Sequence, residues 1–258
     1  MITKTVLITG STSGIGLGIA REFAKTRQYN IIFNGLEDNG QEVADSISNE
    51  FDIDVLFSDA NMLNPEDLRN MVNTGIAKFG KIDVLINNAG IQHVSAIEDF
   101  PDEKWNAIIA INLSSAFYLS KAVWSGMKNS GFGRIVNIAS AHGLVASEFK
   151  SAYVASKHGL VGLTKALALE GAPFNITVNA ICPGYVKTPL VKKQIAEQAK
   201  VHGIPESEVI NHVMLNKQAV KEFVSTETLG QMALLLASEN SMAITGTAIP
   251  VDGGWVAQ

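Results

Sequence analysis

The stretch Thr5-Val-Leu-Ile-Thr-Gly10-Ser-Thr-Ser-Gly14-Ile-Gly16 runs from apolar, β-prone residues straight into a glycine loop. Its first five residues read as a buried strand. Beyond the loop, Ile19, Ala20, Phe23 and Ala24 form the inner stripe of a helix expected over 15–26. A strand that turns through glycines into a helix is built to hold a phosphate. Gly10 permits the sharp turn, while Gly14 and Gly16 let backbone approach a pyrophosphate seated on free helix N–H groups. The spacing is not the G-x-G-x-x-G of many dinucleotide-binding proteins, so the rest of the chain must carry part of the inference.

The alternation continues. Strands are expected over 30–34, 54–57, 82–86, 134–138, 176–181 and 246–251, and helices over 39–51, 65–79, 102–127, 151–171 and 226–237. This rhythm predicts an α/β chain, a single-domain Rossmann-type doubly wound parallel sheet of about seven strands. No linker, repeat or low-complexity tract divides residues 1–258. The stretch 186–224 has no strand pattern and leaves the carboxyl end of a strand, where open sheets hold ligands. It is expected to be a helical substrate lid.

Composition narrows the function classes. The chain has 258 residues, 47% apolar and 17% charged, which suits a soluble globular protein with a sizeable core. A formal charge of −5 provides no basic field for nucleic acid or an anionic membrane. Cys182 is the only cysteine, so no internal disulfide forms. Met1-Ile-Thr-Lys leads directly into the first strand without a signal-peptide pattern, and no apolar run approaches the ~20 residues that span a bilayer. A cytoplasmic location is expected. His93, His158, His202 and His212 show no clustered ligand spacing, so no metal is expected.

A second stretch carries chemistry. Ser140 leaves the strand at 134–138, and Tyr153 and Lys157 stand four apart on one face of the helix at 151–171. A phenol beside an ammonium, with a hydroxyl from a strand end, is a proton-transfer device. Alone, Tyr-x-x-x-Lys far more often describes a tyrosine packed on a solvated lysine stem.

Together with the glycine loop, Asn87-Asn-Ala-Gly90, Asn112, Ser140, Tyr153-x-x-x-Lys157 and Pro183-Gly184 make the chain resemble the short-chain dehydrogenases/reductases. The resemblance spans the whole chain in the family's order and spacing. It implies a nicotinamide dinucleotide, with Tyr153 as acid/base, Lys157 as its electrostatic partner and ribose ligand, and Ser140 donating to the substrate oxygen. Asn112 matches the residue that interrupts helical pairing and holds a relay water. Implied cofactor contacts come from the loop (Gly10, Thr12, Gly14, Ile15, Gly16) and from Leu36 and Asp59 beside the adenosine. Asn88, Ala89 and Gly90 follow, then Pro183, Gly184, Val186 and Thr188 on the far side, besides Tyr153 and Lys157 themselves.

Lowering a phenol from ~10 by ~3 units requires ~4 kcal/mol of preferential phenolate stabilisation. One cation about 4 Å away at an effective dielectric of ~20 supplies a term of that order. Lys157, helped by the positive nicotinamide ring, is therefore expected to activate Tyr153. A bound 2′-phosphate would need a cation, yet after Arg27 the next basic residue is Arg69, and Ser13 stands where NADP-using relatives often carry one. NAD is the expected cofactor. Gly35 occupies the position of the family's usual ribose-binding Asp, with Glu37 and Asp38 near but displaced, which leaves the amides of Gly35 and Leu36 for that task.

A small carboxylate needs a cation and several donors to offset its lost hydration. Lys150, His142, Gln92 and Gln194 supply them around Ser140 and Tyr153, and Trp255 would wall the site. Within the family this set is similar to members that interconvert (R)-3-hydroxybutyrate and acetoacetate by hydride transfer. A homotetramer is the family's common form, with helices beginning near Asp102 and Ser151 at one interface. Two other readings stay open: a family member acting on another small hydroxy acid, a sugar or an acyl thioester, and a non-catalytic dinucleotide sensor on the same fold.

Overall fold

The computed structural model describes residues 3–257. Its strands are β1 (Lys4–Ile8), β2 (Tyr29–Asn34), β3 (Val55–Ser58), β4 (Val84–Asn87), β5 (Gly133–Ile138), β6 (Ile176–Pro183) and β7 (Ala248–Val251). They form one parallel sheet in the order β3-β2-β1-β4-β5-β6-β7. Successive strands run outward from β1 to β3, then the chain crosses back to start the other half at β4. The carboxyl ends of β1 and β4 thus frame the crevice in which such sheets take ligands. Helices cover both faces, so central strands are apolar throughout: Val6, Leu7, Ile8, Val84, Leu85 and Ile86 have no exposed surface.

The helices are α1 (Gly14–Lys25), α2 (Gly40–Phe51), α3 (Pro65–Phe79), α4 (Asp102–Ile109), α5 (Ser115–Ser130), α6 (Ser151–Gly171), α7 (Pro189–His202), α8 (Glu206–Val209) and α9 (Thr226–Ala237). On one face the stripe Ile19, Ala20, Phe23 and Ala24 packs with Leu229, Ala233 and Leu236. On the other, Leu68, Met71, Leu119, Val123 and Met127 meet Leu7, Ile32 and Leu85. Local chemistry sets the ends. Asn64 caps α3 by accepting from the Glu66 amide at 3.0 Å, Pro65 opens the first turn, and Gly80 at φ +84° closes the last.

The helix expected over 102–127 is interrupted. A π turn, Ala110–Ser114, joins α4 to α5 and carries Asn112 at its middle. The combined stretch Asp102–Ser130 is long and apolar enough to cross a bilayer by length and composition, contrary to the expectation that no run would be. Its apolar side is used otherwise, because Leu119, Val123 and Met127 belong to the core under the sheet.

β6 runs to Pro183, two residues beyond the expected end, and delivers Pro183 and Gly184 to the crevice. The chain then leaves the sheet, forms α7, α8 and a second π turn, Ile210–Met214, and returns. A single parallel bridge between Val186 and Val224 closes the base of this excursion, at the two ends read from sequence. Val209, Met214 and Leu215 bury themselves against Tyr185, Trp255 and Ala141, a small core of their own.

Candidate active site

The ends of β1, β2 and β4 open onto a cleft of about 430 Å³. Gly10 and Gly14 adopt φ of +59° and +56°, conformations only glycine takes without strain. A side chain on Gly16 would place its Cβ 2.2 Å from the Gly10 carbonyl oxygen, so the loop folds onto the helix only because that atom is absent. α1 begins with no side-chain cap, which leaves its first amides to the cleft that Gly14 and Ile15 line. Asn88 lines this cleft, but its amide is spent on structure, donating to the carbonyls of Thr9 at 2.8 Å and Gly10 at 3.0 Å. Thr9 Oγ1 in turn accepts from the amides of Asn88 and Ala89. Gly90 continues the wall, where a Cβ would lie 3.3 Å from Asn112 Oδ1 and 3.7 Å from Lys157 Nζ.

At the far end the structure corrects the sequence reading. The Gly35 amide is already used, donating to the Ser58 carbonyl at 3.3 Å, so it extends the sheet rather than facing a ribose. Glu37 is not displaced. It lines the cleft beside Leu36, taking hydrogen bonds from the hydroxyls of Thr12 and, at 3.2 Å, Ser13. Burial raises its carboxyl, but these hydroxyls and nearby amides outweigh that and hold it below the usual carboxylate range. Gly35 makes this possible, since a Cβ there would come within 2.6 Å of Glu37 Oε2. Asp59 is solvent-exposed, and Ala60, Asn61 and Met62 line the cleft in its place.

A second cavity of about 70 Å³ adjoins the first and brings together Gln92, Ser140, His142, Lys150, Tyr153, Gln194 and Trp255. Pro183, Gly184 and Val186 line this cavity rather than the cleft, and Thr188, which caps α7 by accepting from the Val191 amide, borders both. The Ser140 hydroxyl lowers the Tyr153 phenol, yet burial dominates and pushes it up to about 12. Lys157 is not among the groups that shift the phenol in the protein alone. Its Nζ lies 5.6 Å from the Tyr153 ring centre and donates to the Ile138 carbonyl at 2.7 Å, while burial brings the ammonium down to about 8. Asn112 is fully engaged: Oδ1 accepts from the Ile91 amide, and Nδ2 donates to the Ile91 carbonyl and Ser156 Oγ. Its side chain has no donor left to hold a relay water.

Lys150, 2% exposed, enters α6 behind Phe149, whose φ of +63° makes the turn. Its Nζ donates to the Tyr185 hydroxyl at 2.9 Å, and burial, then Lys217, lower the ammonium to about 8. His142 is held neutral by burial, with its ring nitrogens 3.4 Å from Ser140 Oγ and 3.0 Å from Ser147 Oγ. Trp255 lies parallel to Tyr185 at 5.6 Å between ring centres and meets His142 edge-on at 4.9 Å. Buried Gln92 Nε2 has no protein partner, and Gln194 makes no hydrogen bond to a described residue. Such orphaned donors fit a site that completes its hydrogen bonds with a ligand. Sequence reasoning missed Tyr185 and misjudged Glu37. Tyr185 follows Pro183-Gly184 at a strand exit, the one signal that could have marked it.

The family model described as short chain dehydrogenase matches residues 4–199. The chain belongs to that family. It is 52% identical over 259 residues to the D-beta-hydroxybutyrate dehydrogenase of Rhizobium meliloti, covering 100% of both chains. It is 50% identical to the protein of the same name from Cupriavidus necator, over 99% of this chain and 98% of the relative. A crystal structure of an actinorhodin polyketide ketoreductase variant with NADPH superposes with a TM-score of 0.92 at 31% identity, over 98% of this chain and 97% of that one. As a short-chain dehydrogenase the chain uses a nicotinamide dinucleotide. The glycine cradle, the uncapped helix start and the 430 Å³ cleft fit such a group.

Proposed function

We propose that the protein is an NAD-dependent oxidoreductase that interconverts (R)-3-hydroxybutyrate and acetoacetate. The observation that carries this is the small cavity that gathers a cation and amides, Lys150, Gln92 and Gln194, with Ser140 and Tyr153. The names of the two half-identical relatives support the same substrate. The Lys150 ammonium and the amides of Gln92 and Gln194 hold the carboxylate, replacing its lost hydration. Trp255 walls the cavity and helps to keep water from it.

Ser140 donates to the reacting oxygen, and Tyr153 accepts the hydroxyl proton in oxidation or returns it in reduction. A bound dinucleotide would supply the hydride acceptor and, when oxidised, a positive charge. That charge opposes the burial that otherwise keeps Tyr153 protonated. Lys157 reaches the ribose side of the cleft at Gly90. Asn112 acts by position, tying the π turn to Ile91 and to α6.

Glu37 supports NAD. An ionised carboxylate where a 2′-phosphate would lie sets two anions against each other in a half-buried site. The 186–224 excursion acts as a lid, because α7 brings Gln194 into the cavity. A homotetramer is supported by Trp105, Phe117 and Tyr118, large apolar side chains that α4 and α5 leave exposed.

The test is NADH absorbance with each enantiomer of 3-hydroxybutyrate and a panel of other short hydroxy acids. Turnover restricted to the (R) acid is expected. A different hydroxy acid reacting while both enantiomers stay inert would overturn the assignment.

A further inference from the structure

Among the described residues the Lys150 ammonium makes one hydrogen bond, to a group that the chemistry above does not use, the Tyr185 hydroxyl at 2.9 Å. The contact is with the oxygen, not with the ring. Because Nζ lies 5.2 Å from the ring centre and 2.9 Å from the oxygen, the ammonium stands off the rim, beyond the hydroxyl. Tyr185 is itself well anchored. Its amide donates to Gln218 Oε1 at 3.1 Å, its carbonyl accepts from the Val224 amide at 2.9 Å, and its ring stacks on Trp255. Backbone and ring together fix where the hydroxyl points.

That anchorage matters because a lysine stem is flexible and Lys150 borders two spaces. Besides the substrate cavity it lines a rear cavity of about 520 Å³, where Glu148 offers an acid. A four-carbon stem lets the ammonium turn toward either space. One N–H held by Tyr185 restrains it and leaves two for a carboxylate. Around the ammonium, Tyr153 and His142 line the substrate cavity, and Glu148, His202, His212 and Lys217 line the rear one. Burial lowers Lys150 most, Lys217 lowers it further, and Glu197 on α7 opposes both. None of these groups changes when the Tyr185 oxygen alone is removed.

We propose that Tyr185 is a positioning residue, whose hydroxyl holds the Lys150 ammonium at the substrate cavity to meet the carboxylate of the hydroxy acid. The inference rests on the reading of Lys150 as the carboxylate's cation and names the group through which the chain fixes it. Accepting from an ammonium also favours its charged form. The hydroxyl therefore keeps Lys150 protonated to a higher pH than its surroundings would otherwise allow.

The experiment is calorimetric titration of butyrate into the full chain with NADH, on both sides of pH 8, for the parent, Tyr185→Phe, Lys150→Ala and the double variant. Tyr185→Phe keeps a ring against Trp255 and removes only the acceptor. It should weaken butyrate about tenfold and shift the alkaline loss of binding to lower pH. Lys150→Ala should weaken butyrate at least as much. Adding Tyr185→Phe to it should do nothing further, because Tyr185 acts through the ammonium. In turnover, the Tyr185→Phe loss should fall on KM for the hydroxy acid, with kcat and KM for NAD near the parent's. If thermal melts show that Tyr185→Phe does not fold, Tyr185→Leu, which also lacks the acceptor, takes its place in the same cycle. Parent-like affinity and pH dependence without the hydroxyl would overturn the proposal, as would an equal loss in the Lys150→Ala background. Parent-like binding in Lys150→Ala would instead remove the carboxylate site itself, and the proposal with it, so the two failures are told apart. The binding arm needs no turnover and does not depend on the choice of 3-hydroxybutyrate.

Discussion

Lys150 and Tyr153 both titrate on the alkaline side of neutrality, at about 8 and about 12, and their titrations pull the oxidation in opposite directions. Lys150 is lowered to about 8 by burial, so as pH rises through 8 the carboxylate loses its cation. KM for the hydroxy acid should therefore climb above pH 8, whereas Lys150→Arg, whose charge persists, should show a flatter KM profile from a poorer starting value. Tyr153, pushed up to about 12 by the protein alone, must lose its proton to act as a base, so kcat for oxidation should rise with pH while the reduction falls. Tyr153→Phe should keep NADH binding and lose about 10²–10⁴ in kcat, the usual worth of a positioned acid/base. Turnover near the parent's would remove the phenol from the chemistry. At the adenosine end, Glu37→Ala removes the carboxylate and should narrow the NAD-over-NADP preference by more than tenfold. An unchanged ratio of kcat/KM values would show that the discrimination lies elsewhere.

At the scale of elements, the π turn between α4 and α5 sets the relation between β4 and α6. Asn112 reaches from the turn to both backbone groups of Ile91 and to Ser156 on α6, crossing from one catalytic strand end to the catalytic helix. Asn112→Ala leaves a partly buried N–H and C=O without partners, a cost of about 1–3 kcal/mol per group. A lowered Tm accompanied by reduced kcat is expected, since the Gly90 corner and Lys157 would no longer be held in register. An unchanged Tm would mean that water replaces the amide without loss. The sequence marked Asn112 by its place in a family pattern. What interrupts the helix is a backbone geometry, and no residue type in Ala110–Ser114 requires it.

For the whole molecule, the sheet faces are closed but the outer sides of α4 and α5 are not. Trp105, Phe117 and Tyr118 remain 36–43% exposed on helices whose inner sides are fully committed to the core. Phe117→Glu should convert the proposed tetramer to a smaller species by light scattering, with the far-ultraviolet dichroism intact. A parent that runs as a monomer would rule out this face as an interface. The 186–224 excursion is tied to the body by the Val186–Val224 bridge, by Val220 N–H donating to the Gly253 carbonyl, and by a small core shared with Ala141, Tyr185 and Trp255.

Much of this was legible from local pattern, because local pattern is what period, turn chemistry and burial on both faces constrain. The strand-to-glycine-loop opening, the parallel sheet and the helices at 65–79, 151–171 and 226–237 all followed from it, whereas the grouping of Gln92, Ser140, His142, Lys150, Tyr153, Gln194 and Trp255 at one cavity was implied chiefly by the family resemblance. Only the tertiary structure decided the state of each charge and the destination of each donor. Glu37 turned into the cleft because Gly35 left room beside Thr12, Lys157 donated a hydrogen bond to a strand carbonyl, and Lys150 found a phenol 35 residues away. Residue order records which groups a chain has. Whether a buried group is paired, orphaned or shifted depends on neighbours that only folding brings within a few ångströms.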